Sequence, residues 1–167
     1  MVESFELKRL TEEGLPAALE RAEHYRLLNQ PELAESICLD ILEVEPDNQR
    51  ALVVLILAIT DQFETGGSDP RATAARKHVD RLSDPYQRSY YAGIISERRA
   101  RAFLSRGPSQ QFAYQHFRQA MEFYEEAAAI RPAGNDDAIL RWNTCARSIK
   151  LRKLRPRPER EGELQLE

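Results

Sequence analysis

The sequence predicts an all-α fold of antiparallel helix pairs, and three observations carry that prediction. Glycine is scarce, 7 of 167 residues, while Ala, Leu, Glu and Arg abound, a composition that favours helix. Apolar residues recur at helical spacing in one segment after another. Proline-containing turns punctuate those segments, and no stretch alternates at period two for long enough to read as a strand.

Taken in order, a first helix is expected from about Pro16 to Leu28, with Pro16 in a first turn where no amide partner is needed. Leu15, Ala18, Ala22 and Tyr25 share its apolar face. Asn29-Gln30-Pro31 breaks the chain, and a second helix carries Ala34, Ile37, Cys38, Ile41 and Leu42 on one face before stopping ahead of Pro46. Glu45-Pro46-Asp47-Asn48 is a turn in which Asp47 or Asn48 can cap the next helix. That third helix, about Gln49 to Phe63, is apolar on almost every side and so belongs between other helices. Thr65 to Pro70 reads as a flexible loop, and a fourth helix spans about Arg71 to Leu82. After Ser83-Asp84-Pro85 a long helix reaches about Ser105. Another runs from about Gln110 to Ile130, and a last one from about Asp136 to Leu154, stopped by Arg155-Pro156. The expected organisation is one helical domain over residues 1–155, with a disordered tail over 156–167.

Charge narrows the function classes. With 24 Lys and Arg against 27 Asp and Glu, the net charge is -3, and no global field draws the chain toward nucleic acid or an anionic membrane. Cys38 and Cys145 are far apart on apolar helical patterns, which predicts buried thiols in a reducing compartment. The first ten residues lack the features of a signal peptide, and the longest apolar run, Ala51 to Ile59, is far short of a bilayer span. The expectation is a cytoplasmic protein with no membrane association.

One spacing repeats. Ala34, Cys38, Ile41, Val44 and Pro46 recur in register as Ala120, Tyr124, Ala127, Ile130 and Pro132. Residues Leu15 to Asn48, with Ala22 and Tyr25 in the first helix, Ala34 in the second and Pro46-Asp47-Asn48 at the exit, resemble a tetratricopeptide repeat. The resemblance implies three helix pairs stacked as a short right-handed solenoid, with a C-terminal helix covering the last face. It also implies a concave groove that holds another protein's peptide segment or helix. Carried over by position, the groove candidates are Leu19, Glu23 and Arg26 from the first pair, Arg50, Val53, Leu57 and Thr60 from the second, and Ser96 and Arg99 from the third. The family's clamp for chaperone tails requires Lys and Asn where this chain has Leu19 and Glu23, which argues against that ligand.

Catalytic readings find little support. Gly66-Gly67 lacks the Lys and Ser/Thr of a phosphate loop, and His24, His78 and His116 stand singly. Glu125-Glu126 and Asp136-Asp137 diverge around a helix rather than converge on a substrate. No enzyme activity, metal or cofactor is expected, and an enzyme whose site assembles from residues distant in sequence is kept as a minor alternative. Trp142 shares a stripe with Ile139, Ala146 and Ile149, which makes it a packing residue. An alternative function is nucleic-acid binding by the basic stretch from Arg147 to Arg157. It lacks interleaved aromatics, and its cations also complement a helix C-terminus. A homodimer built on the apolar third helix is a further expectation.

Overall fold

The computed structural model describes residues 3–64, 68–106 and 110–158. Seven α-helices are found there and no strand: α1 (Leu15–Leu27), α2 (Pro31–Val44), α3 (Gln49–Thr60), α4 (Ser68–Val79), α5 (Pro85–Ser105), α6 (Gln110–Ala129) and α7 (Asp137–Leu151). Consecutive helices pack on one another throughout, and α1 also touches α3 as α3 touches α5. The fold is therefore all-α and repeat-like.

The termini of the helices follow from local chemistry. Proline occupies the first turn of α1, α2 and α5, where its missing N–H leaves nothing unsatisfied. Asn48 caps α3, its side chain accepting the Ala51 amide at 2.9 Å, and Asp84 caps α5 through the Tyr86 amide at 2.9 Å. Asn29, in the left-handed region at φ 58°, ends α1. The Asn29 amide donates to the Arg26 carbonyl and the Gln30 amide to the Tyr25 carbonyl, which are the paired bonds of a Schellman turn. Lys153, at φ 53°, ends α7 in the same way, with Leu154 donating to the Ile149 carbonyl.

Some boundaries differ from expectation. α3 stops at Thr60, whose hydroxyl donates to the Leu57 carbonyl at 2.8 Å, and three-residue turns then carry Phe63 back into the core. α4 starts at Ser68, inside the expected loop, because Pro70 then falls in a first turn that needs no amide donor. It ends at Val79, leaving Leu82 buried beyond the helix. α7 ends before Leu154 because that residue turns back as an apolar plug, 5% exposed, onto the helix it has just left. Of the expected loop, residues 65–67 lie outside the described residues. So do residues 159–167 of the expected tail.

Two hydrophobic cores fill the array. The first is shared by α1 to α5 and centres on α3, whose Ala51, Leu52, Leu55, Ile56 and Ala58 are fully buried. The second is built by α5, α6 and α7 around Phe117, Tyr124 and Cys145. Of the repeated spacing, Ala34, Cys38 and Ile41 of α2 and Ala120, Tyr124 and Ala127 of α6 are 0% exposed, whereas Val44 packs against the first core and Ile130 lies past the end of α6, 52% exposed. α3, the helix on which a homodimer was expected, is mostly enclosed by its own chain. Most of its apolar residues pack on α1, α2, α4 and α5 of the same chain, as a helix apolar on almost every side requires, while Val53 and Leu57 stay half-buried.

Candidate functional site

The odd-numbered helices α1, α3 and α5 meet on one side of the stack. At the C-terminal end of α1, the end of α3 and the middle of α5, a recess of about 430 Å³ opens, lined among others by Arg26, Asn29, Thr60, Asp61, Arg98 and Arg101. Asp61 follows the last turn of α3 and sits between two arginines from neighbouring helices. Arg26 Nε of α1 lies 2.8 Å from one carboxylate oxygen, and Arg98 Nη1 of α5 lies 3.2 Å from the other. Each guanidinium has five N–H donors and spends only part of them on Asp61. The arginines are 24% and 31% exposed, and both line the recess.

A second carboxylate repeats the pattern one step along the array. Glu97 of α5 is 1% exposed, yet it lies in the Gly93, Glu97, Ala100 row that faces the second core. Its burial is tolerable because it is surrounded by donors. The Tyr124 hydroxyl of α6 donates at 2.7 Å, Arg101 donates through Nε and Nη2 at 3.1 and 2.9 Å, and Arg141 of α7 approaches at 3.5 Å. Burial pushes the Tyr124 hydroxyl far above its ordinary range, with the Glu97 charge and hydrogen bond adding to the effect. Cys145 is pushed up to about 12, by burial first and Glu97 second. Burial disfavours the Arg141 cation, but Glu97 and the Tyr90 hydroxyl outweigh it, and its pKa rises. This cluster joins α5, α6 and α7. It holds no activated nucleophile, since both the thiol and the phenol are kept protonated.

The groove candidates divide sharply. Arg26 lines the recess, and Thr60 lines it with a hydroxyl already bonded to the Leu57 carbonyl. Glu23 and Arg50 pair with each other at 2.8 Å across α1 and α3. Val53 and Leu57 are half-buried on α3, and Arg99 is half-buried on α5. Two candidates are corrected. Leu19, 6% exposed, belongs to the first core, and Ser96, 0% exposed, donates to Gln119 of α6 at 3.0 Å, so neither presents a surface to a partner. Ser96 turns inward because α5 is covered on two sides and its row faces α6.

Sequence reasoning missed Asp61, Glu97, Arg98, Arg101 and Arg141. Asp61 was detectable as the first acid after an apolar helix, and Glu97 as an acid on a row otherwise small and apolar. Trp142 is half-buried against the second core, with its indole N–H donating to Glu125 at 2.9 Å. His78 is half-buried and its pKa is lowered, by burial first and by Arg81 next. Among the described residues, no group of His, Cys, Asp and Glu could hold a metal ion, and no helix is long and apolar enough to cross a membrane. Comparison with known proteins finds no matching family model, no matching curated sequence and no matching solved structure.

Proposed function

We infer that this chain is a non-catalytic interaction module of tetratricopeptide-like design, which holds an acidic, extended or helical segment of another protein against its α1–α3–α5 face. The observation that carries this reading is the Arg26–Asp61–Arg98 bridge at the floor of the recess. A single carboxylate shared by two guanidiniums leaves directed N–H donors, and a partner carboxylate or carbonyl satisfies them at little ordering cost because Asp61 already fixes both side chains. Val53 and Leu57, half-buried on the same helix as Thr60, offer apolar area for the rest of the segment. The repeated burial pattern of α2 and α6 supports the repeat design.

The test is selection from a random peptide library displayed against the full chain, followed by titration of a synthetic copy of an enriched sequence. Enriched peptides are expected to carry Asp or Glu. Arg26→Glu and Arg98→Glu should each weaken binding at least about tenfold, the loss of roughly one charge-assisted hydrogen bond. Circular dichroism should stay unchanged. Failure to enrich any peptide, or binding by both variants as tight as by the parent chain, overturns the reading.

A further inference from the structure

The two ends of the helix array carry opposite charge. Between Glu3 and Asn48, twelve acidic side chains face four basic ones, whereas from Asp137 to Pro158 seven basic side chains face one acidic. The excess is on the surface: Glu20, Glu32 and Glu43 are exposed on α1 and α2, as are Arg147, Lys150 and Arg152 on and just after α7. α1 and α2 are the first members of the stack and α7 is the last, each packed on its neighbours in sequence.

Both ends also keep uncovered leucines. α2 shows Leu33 and Leu39, 48% and 50% exposed, on the surface that also carries Glu32 and Glu43. On α7 an outward row at helical spacing holds Leu140, Thr144, Arg147 and Leu151, with the two leucines 61% and 83% exposed. A repeat array needs polar terminal faces to stay apart from its copies, and at both ends exposed leucines interrupt the charged surface.

We propose that the basic outward face of α7 docks on the acidic α1–α2 surface of a second copy of this chain, head to tail. The exposed leucines supply apolar area and the opposed charges supply orientation and register. Like ends repel, so the symmetric end-to-end pairings are disfavoured. A contact between two different surfaces does not close on itself, and the association continues past the dimer. α7 is about 22 Å long, and the few hundred Å² it can cover place each contact at the weak, salt-sensitive end of protein interfaces.

Sedimentation equilibrium of the full chain tests this at roughly 20 and 500 mM salt, on either side of a ~10 Å screening length. At low salt the average mass should climb with concentration beyond that of a dimer, and high salt should return it to the 19.2 kDa monomer. Glu32→Lys with Glu43→Lys, and separately Arg147→Glu with Lys150→Glu, should each abolish association, since all four side chains are exposed and outside the cores. Mixing the two variants should restore it, because each then offers the end the other needs. The proposal is overturned by a wild-type chain that stays monomeric at low salt, by association that stops at a dimer, or by variants that fail to complement. A monomeric wild type that instead retards random-sequence duplex DNA overturns it too, and assigns the basic face to nucleic acid.

Discussion

Replacing Gly93 by alanine probes the tightest approach between α5 and α6. A Cβ at this position would stand 2.5 Å from Cε1 and 2.7 Å from Cδ1 of the Tyr124 ring, well inside ordinary van der Waals contact. The ring has little room to retreat, being 0% exposed and tethered through its hydroxyl to Glu97 at 2.7 Å. Overpacking of a filled core costs about 1–3 kcal/mol, and this site belongs near the upper end. Alanine recovers about 1 kcal/mol as the better helix former. The net loss should be about 2 kcal/mol, or roughly 4–8 °C in Tm for a chain of this length. Urea unfolding followed by far-UV circular dichroism measures it directly. In a Tyr124→Leu background the obstructing ring atoms are gone, so Gly93→Ala should be close to neutral there, a coupling of at least about 1 kcal/mol. A neutral or stabilising Gly93→Ala in the parent chain refutes the close approach, because helix propensity alone predicts that result.

Other parts of the fold yield further predictions. Lys153 holds a left-handed conformation that costs a non-glycine residue about 1–2 kcal/mol, so Lys153→Gly should raise stability, by up to about 1 kcal/mol after the added freedom of the unfolded chain, in the same urea titration. The alkaline limb of the stability curve should be steep. Cys38 and Cys145 move from about 9 to about 12 and Tyr91 from 10 to about 12, in each case chiefly by burial. The unfolded chain therefore releases these protons first, and stability present below pH 9 should be lost as pH rises toward 12. A thiol reagent at pH 8 should modify both cysteines far faster in urea than in the native protein, and rapid native labelling would contradict their burial.

Helix number, order and most boundaries were legible in the sequence because they depend on local chemistry. Prolines in first turns, Asn48 and Asp84 as caps and the all-round apolarity of α3 act over a few residues. The misread boundaries have a different origin. Leu154 leaves α7 for the second core and Phe63 leaves α3 for the first, and those are long-range gains that no local pattern displays. The site was less legible for the same reason. Arg26 stood among the residues named from the sequence, but Asp61 and Arg98 matter only because α3 and α5 bring them to the same recess. Ser96 was misplaced because helical spacing alone does not tell which of two neighbours covers a row of α5.

α5 contributes to both cores: Ile95 and Ala102 pack in the first, Tyr86 and Ala100 in the second. A helix gripped from two sides is not released when either group lets go, so melting proceeds inward from the ends of the array and reaches α5 last. The slowest-exchanging amides of the protein belong in the middle turns of that helix. They are also the ones whose protection survives the loss of α1 or of α7, which makes α5 the splice that turns two small cores into one cooperative unit.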